Sequence, residues 1–435
     1  VKLPRVKTKT QKVLRLLRAY EAANMLWIAP DGSCPIVWTR ATGVNVWDVE
    51  GRRYIDLTAA FGVAAAGHGS APVVAAGRRQ MGRLLHAMGD VHPHPLKAQL
   101  ARELSRITFE RWTSGATSGK TIFSNSGFEA VETALKTAML ATGKRRILAF
   151  TGAYHGLGYG ALNATHRAYF RDPFRSQLGR FGRFTPFPKE GDDLAETERR
   201  LVRLLRCGQF GAVLAEPIQA RGGINVPPAG FLPLLRTLCD RYGLLLILDE
   251  IYTGFGRTGT WFACEQSRTV PDLICLGKAL TGGFPLSACV GRTELMDAAW
   301  PPSEGEALHT STFQGHPVGC AMALAQIKEI ESRSLPERSA ALGAYLLHLL
   351  RAKISVPGHS IEVRGCGLMA GLEIRETGGR PATAFVLEAV KKMLRRGFIL
   401  LPEGEFGNVI TFTPPLIITK AQLAAAAAAL RKVLQ

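Results

Sequence analysis

The chain has 435 residues, 46% of them hydrophobic and 20% charged, a composition that buries a large core and favours more than one domain. No uninterrupted apolar run of about eighteen residues occurs and no charged-then-apolar leader opens the sequence. A membrane span is therefore not expected, and the composition reads as that of a cytoplasmic protein. The net charge of +19 raises the question of a polyanion partner, but the basic residues are spread along the chain without interleaved aromatics, so no nucleic acid is expected.

The eight cysteines, Cys34, Cys207, Cys239, Cys264, Cys275, Cys289, Cys320 and Cys366, include no pair separated by two residues. This argues against a zinc cage and a disulfide framework and for small buried hydrophobes.

The opening "VKLPRVKTKTQKVLRLLR" carries seven Lys or Arg and no acid. It reads as an organelle presequence, a nucleic-acid arm or a basic helix leading into the fold, the last being favoured. "GVNVWDVEGRRYIDL" alternates apolar residues around a turn at "EG", which predicts a hairpin. "GHGSAP" around His68 and "GDVHPHP" with His92 and His94 read as loops, because they lack i, i+4 spacing and a third ligand for a metal.

From "KTIFSNSG" onward the chain alternates strand and helix. "FEAVETALKTAMLATG" predicts a helix stopped at Gly143, and "RRILAFTGAYHG", "GAVLAEPIQARGG" and "LLLILDEIYTGFG" each predict a strand that runs into polar residues and glycines. That alternation implies an α/β fold with a mostly parallel sheet. Ligands of such sheets bind beyond the carboxyl ends of the strands, so Ser126, Tyr154, His155, Glu216 and Asp249 are expected around one crevice. The last hundred or so residues, with "HSIEVRGCGLMAGLEI", "AFVLEAVKKMLRRG", "NVITFTPPLIIT" and the alanine-rich "KAQLAAAAAALRKVLQ", predict a smaller α+β unit that ends in a helix.

"DLICLGKALTGGFPLSA" places Lys278 between a predicted strand and a glycine-rich turn, among Leu276, Ala279 and Leu280. Most lysines are solvated surface groups. An amine that is partly desolvated has a lowered pKa and is suited to forming a Schiff base with a carbonyl. A cofactor that works in this way, and that needs a carboxylate beneath a pyridinium nitrogen, is pyridoxal 5'-phosphate. Asp249 is the candidate carboxylate.

With these residues in place, nearly the whole chain resembles the class III pyridoxal-phosphate aminotransferases, the group containing ornithine, 4-aminobutyrate and related ω-amino acid aminotransferases. The resemblance lies in motifs in their family order: "SNSGFEAVETALK", "GAYHG", "LAEPIQ", "LILDEIYTGFGRTG", "PDLICLGKALTGGFPLSA" and "TSTFQGHPVGCAMALA".

It implies a fold type I enzyme with a large cofactor domain over 66–325 and a smaller domain built from 1–65 and 326–435. It also implies Lys278 as the Schiff-base lysine and Asp249 as the partner of the pyridine nitrogen. By the same resemblance Ser126, Gly127 and the amide of Phe128 form the phosphate cup, and Tyr154 and Ile251 lie on the two faces of the ring. Glu216 is the switch glutamate, and Thr312 reaches the phosphate of the opposite subunit in a homodimer. His155 reads equally as a structural hydrogen-bonding group.

Two positions depart from the family pattern. Thr411 stands where relatives that use glutamate carry an arginine before "PPL", and a hydroxyl cannot form the bidentate fork on a carboxylate. Glu216 is then expected to lack its partner, with Arg221 as the candidate replacement cation for substrate binding. Tyr252 stands at a position that is often glutamine. The implied reaction moves an amino group from a primary amine or ω-amino acid to a 2-oxo acid. A racemase, a decarboxylase or an aminomutase on the same scaffold is the alternative.

Overall fold

The computed structural model describes residues 8–29, 32 and 34–435. A helix, Lys9–Tyr20, opens the described chain, capped by Thr8, whose hydroxyl accepts the Gln11 amide. It buries Leu14 and is tied down where the Thr10 amide donates to Glu50 at 2.8 Å. The basic opening therefore does lead into the fold as a helix, and the part before residue 8 lies outside the described residues.

Strands β1 (Trp38–Thr42), β2 (Asn45–Asp48) and β3 (Arg53–Asp56) form an antiparallel meander. The turn predicted at Glu50–Gly51 is present. Asp48 holds it by accepting the amides of Glu50 and Arg52 and the Tyr54 hydroxyl.

The central sheet has seven strands: β4 (Gly119–Ser124), β5 (Arg146–Phe150), β6 (Gly182–Thr185), β7 (Phe210–Ala215), β8 (Leu245–Asp249), β9 (Leu273–Leu276) and β10 (Ser287–Arg292). Their spatial order is β4-β10-β9-β8-β7-β5-β6. Only β10 runs antiparallel to its neighbours; the pairs β9–β8, β8–β7, β7–β5 and β5–β6 are parallel. A sheet covered on both faces needs continuous apolar strands rather than alternating ones, which is why β7 and β9 are buried at every position.

The two faces pack into different cores. Leu246 and Leu248 of β8 join the larger cluster, with Phe231 and Leu235 of the helix Phe231–Tyr242. Ile247 joins the other, with Ala130, Val131 and Ala134 of the helix Gly127–Thr142. That second helix ends where predicted, at Gly143, whose φ of +65° is the left-handed cap conformation that favours glycine.

The C-terminal part forms an antiparallel sheet of β11 (His359–Gly365), β12 (Ala370–Glu376), β14 (Leu401–Glu403) and β15 (Val409–Phe412), in the order β11-β12-β15-β14. The helices Thr383–Arg395 and Lys420–Leu434 pack on one another. Between the helix Thr383–Arg395 and β14, β13 (Phe398–Ile399) leaves to pair in parallel with β3, so the two ends of the chain share a sheet.

Arg257, only 2% exposed, joins this part to the loop after β8. Its Nη1 donates to the carbonyls of Leu368 and Pro414, and its own carbonyl accepts the Ser339 hydroxyl and the Leu368 amide. Burial pushes this guanidinium down to about 10. Arg257→Leu would leave two buried carbonyls unpaired, and a loss of about 2 kcal/mol is expected from urea unfolding compared with wild type.

Candidate active site

The adjacent acids at the end of β8 follow the alternation of the strand. Asp249 has the parity of Ile247 and lies on the face of the helix Gly127–Thr142, whereas Glu250 has the parity of Leu248 and turns into the opposite core. There Glu250 accepts the amides of Ala263 and Cys264 and the Thr253 hydroxyl, a structural brace whose carboxyl burial pushes up to about 6.

Asp249 is 5% exposed. Its Oδ1 accepts the Ile251 amide at 3.1 Å and its Oδ2 accepts from His155 Nδ1 at 2.8 Å. His155 is fixed in turn through its amide, which donates to the Thr165 hydroxyl at 2.9 Å.

Glu216, which follows β7, is also buried. Its Oε1 accepts the Tyr154 amide at 3.0 Å and its Oε2 accepts the Ala220 amide at 3.1 Å. Burial pushes its carboxyl up to about 7, reinforced by the nearby Asp249 and opposed by His155 and the two amides.

Lys278 follows β9 and Gly277. Its φ of +41° is in the left-handed region, a strained backbone for a residue with a side chain, at a cost of about 1 kcal/mol or more. Desolvation lowers the pKa of its amine, while Asp249 and Glu216 pull it the other way. The Nζ lies 4.5 Å from the centroid of the Tyr252 ring.

These groups line one cavity of about 400 Å³, together with Gly127, Phe128, Tyr154, Arg221 and Ile251. Ser126 stands at the N-cap of the helix beneath it. Glu129 reaches back to accept the amides of Asn125 and Ser126, but the Ser126 hydroxyl is buried without a hydrogen-bond partner. It faces the amide of the first helical turn in capping-box fashion without closing a bond. A Cβ on Gly127 would come within 3.2 Å of the Ile251 side chain, so a larger residue at this helix start would press on Ile251.

The class-III aminotransferase family model matches residues 28–434. The chain belongs to the class-III aminotransferase family. It is 39% identical over 403 residues to the 5-aminovalerate aminotransferase DavT of Pseudomonas aeruginosa, covering 89% of this chain and 91% of that one. To the putrescine aminotransferase of Pectobacterium atrosepticum it is 36% identical, covering 95% of this chain and 86% of that one. Among solved structures, an (S)-enantioselective omega-transaminase from Thermomicrobium roseum superposes with a TM-score of 0.87 at 30% identity, over 99% of this chain and 100% of that one. An amine transaminase from an uncultivated Pseudomonas species, solved in its PLP-bound form, gives 0.86 at 30% identity, over 95% and 99%.

The protein is thus a pyridoxal-phosphate-dependent enzyme of fold type I that transfers an amino group between an amine and a 2-oxo acid. The racemase, decarboxylase and aminomutase alternatives find no support among these relatives. The site fits the cofactor on its own chemistry: an unpartnered hydroxyl and open amides at a helix N-terminus suit a phosphate, and a buried, oriented carboxylate suits a ring nitrogen.

Of the residues expected in the aminotransferase site, Gly127, Phe128, Tyr154, Glu216, Arg221, Asp249, Ile251 and Lys278 line the cavity, with Ser126 directly before them. Thr312 does not line it and is exposed on this chain. Glu216 does lack a cation partner among the described residues, and Arg221 does not pair with it. The loop after β7 gives Glu216 two backbone amides instead, and Arg221 turns to Glu403.

Thr411 is buried in β15, where its hydroxyl donates to the Leu401 carbonyl, and does not reach the cavity. Tyr252 donates to or accepts from the Thr413 hydroxyl at 3.1 Å. His94 caps the helix Pro95–Ser105 and bonds the Gly315 carbonyl, while His68 bonds Asp56. The sequence reading missed Glu403 and the tie between His155 and Asp249. Glu403 lies 182 positions from Arg221, and no local spacing signals that contact.

The raised carboxyl of Glu216 predicts a pH effect on the cofactor-free enzyme. Because the folded state favours the protonated form, this contribution is present below about 4.5 and is lost as pH rises through about 7. Urea midpoints of wild type are expected to fall across that window by the equivalent of about 3 kcal/mol relative to Glu216→Gln, which lacks the titration.

Proposed function

We propose that this aminotransferase takes its amino group from the terminal carbon of a straight-chain ω-amino acid or diamine and passes it to a 2-oxo acid whose carboxylate is received by Arg221. The observation that carries this reading is the presence of Arg221 on the wall of the same cavity as Lys278, while Thr411 is withdrawn into β15. Relatives named for 5-aminovalerate and putrescine support the donor class.

Bound pyridoxal phosphate supplies a carbonyl that takes up the amino group and a ring that accepts electrons from the substrate carbon. The residues divide the remaining work. Ser126, Gly127 and the Phe128 amide would hold the phosphate at the N-terminus of the helix Gly127–Thr142. Tyr154 and Ile251 would keep the ring flat between them. Asp249, oriented by His155, would hold a proton on the ring nitrogen. Lys278 Nζ would anchor the cofactor and then carry the proton at the substrate carbon, a task that its desolvated amine suits. Glu216 fixes the backbone of Tyr154 and so the plane of the stack.

The reading includes a cytoplasmic homodimer in which exposed Thr312 serves the opposite site. It also includes the division into a large domain over 66–325 and a smaller one from both ends of the chain, which the pairing of β13 with β3 supports.

The test is optical. The visible band of the cofactor-loaded enzyme is expected to vanish on mixing with 5-aminovalerate or putrescine and to return with pyruvate or 2-oxoglutarate, with Lys278→Ala doing neither. A band unmoved by every amine, while α-amino acids lose optical purity, would overturn the reading. His155→Phe removes a hydrogen bond to the Asp249 carboxylate and should slow the bleaching step by about tenfold to a hundredfold, measured by stopped flow.

A further inference from the structure

The loop after β7 has two faces. Glu216, Ala220 and Arg221 line the active-site cavity, whereas Gln219, Gly222 and Asn225 line a second cavity of about 170 Å³ on the side of the C-terminal sheet. Backbone hydrogen bonds in both directions between Gln219 and Asn225, at 3.1 and 3.0 Å, close the loop on itself. Arg364 of β11, Glu373 and Arg375 of β12, and Gly404 and Asn408 form the opposite wall. At about 30 Å³ per water, the space equals about six waters, too little for a nucleotide and enough for a molecule of several heavy atoms.

One buried atom in this wall needs a hydrogen-bond donor. Gln219 is oriented by its Nε2, which donates to the Thr151 carbonyl at 2.7 Å, so its Oε1 turns to Asn225. Asn225 Nδ2 donates to that oxygen at 2.9 Å and to the Gly222 carbonyl at 3.1 Å, which uses both of its hydrogens and fixes the amide. Asn225 Oδ1 is left as an acceptor without a donor, on a residue that is 7% exposed. His166 Nδ1, another liner, is also buried without a partner, and burial lowers the pKa of its ring.

The cations of the cavity divide into those already paired and those that are not. Arg364 and Arg375 both pair with Glu373, at 2.7 and 2.6 Å, and Arg364 also donates to the carbonyls of Ile224 and Gly223. Arg167 gives only its Nη2, to the Glu405 carbonyl at 3.0 Å. Lys189 stands exposed at the rim, and its ammonium closes no hydrogen bond or ion pair among the described residues, reaching Glu373 only through longer-range attraction. Its segment runs beside Asn225, because the Glu190 amide donates to the Val226 carbonyl at 2.8 Å.

A buried acceptor that needs a donor, next to cations that need an anion, matches a small zwitterion. Their closeness favours an ammonium and a carboxylate on neighbouring carbons over the same groups at the two ends of a chain. We propose that this rear cavity is a second ligand site that takes a small α-amino acid, its ammonium on Asn225 Oδ1 and its carboxylate toward Lys189 and Arg167. An α-amino acid is also the class of product that amino transfer to a 2-oxo acid forms, so the role of the site, though not its geometry, rests on the aminotransferase reading above.

Binding can be measured without turnover. Cofactor-loaded enzyme is reduced with borohydride, which fixes the cofactor to Lys278, and is titrated calorimetrically with L-alanine, with propionate, which lacks the amine, and with 5-aminovalerate. Alanine is expected to bind about tenfold or more tighter than propionate, and Asn225→Ala should erase that preference. Lys189→Glu, an exposed change that leaves the fold intact, should weaken alanine and propionate alike by about fivefold or more. Arg221→Ala, on the other face of the loop, should leave alanine within about twofold. Equal melting temperatures would check the variants, and if Asn225→Ala does not fold, the ligand comparison and Lys189→Glu decide the matter.

The second site is overturned if reduced enzyme takes up no alanine, or if alanine binds no better than propionate or 5-aminovalerate. Alanine binding that is lost in Arg221→Ala and unchanged in Lys189→Glu would place the ligand in the active-site cavity and overturn it as well. The two readings fail separately. An enzyme that bleaches with amines but takes up no alanine when reduced sinks the second site alone, whereas a wild-type band unmoved by every amine sinks the reaction whatever the titrations give.

Discussion

Everything in this active site depends on the cost of placing ionised groups where parallel strands end in a desolvated crevice. Asp249, Glu216 and Glu403 are carboxyls in or beside one cavity, with Lys278 and Arg221 as its cations. Each buried charge requires a partner or a shift toward its neutral form. Asp249 is satisfied by His155 and the Ile251 amide, and Glu216 by two amides together with a pKa moved toward neutrality. Lys278 is moved toward its neutral amine. The buried Ser126 hydroxyl closes no hydrogen bond, and it stands where the helix N-terminus favours an anion.

The central sheet makes that concentration of charge affordable in folding terms. Parallel strands packed on both faces need apolar residues along their whole length, so polarity can appear only where a strand stops. Because alternate residues face opposite cores, the position at which β8 stops decides which of its two acids serves the site. Shifting the end of the strand by one residue would send Glu250 toward the helix Gly127–Thr142 and bury Asp249 against Thr253, Ala263 and Cys264. The C-terminal sheet is as necessary. It reaches the site through Arg257, which pins the loop after Tyr252, and through the lock between Gly404 and Arg221.

What the sequence made legible follows from the range of the interactions. The strands, the helix after Ser126 and its stop at Gly143 are local matters of apolar runs, caps and left-handed glycine, and they lie where the pattern puts them. So does the convergence of Tyr154, Glu216 and Asp249, because strand ends in one sheet share an edge. Contacts between distant segments were not legible. That Glu216 is answered by amides rather than by a cation depends on the loop after β7 folding back through paired Gln219 and Asn225. That Arg221 meets Glu403 depends on how β14 passes that loop. Neither fact leaves a trace in spacing.

In the proposed function, the charge that receives an acid has consequently moved. With threonine in β15, the strand offers a hydroxyl tied to the Leu401 carbonyl, and the guanidinium that lines the cavity rises instead from the loop after β7. An arginine on a central strand is held by its neighbours at every position and presents a fixed fork. Arg221 instead has its carbonyl clamped by the Gly404 amide and its guanidinium resting on the face of Tyr154, with one long bond to Glu403. Stacking over Tyr154 favours the cation without consuming its in-plane donors. Relocating a single positive charge from strand to loop thus changes how the pocket can answer a carboxylate, while leaving the lysine, the aspartate and the phosphate cup where the fold already holds them.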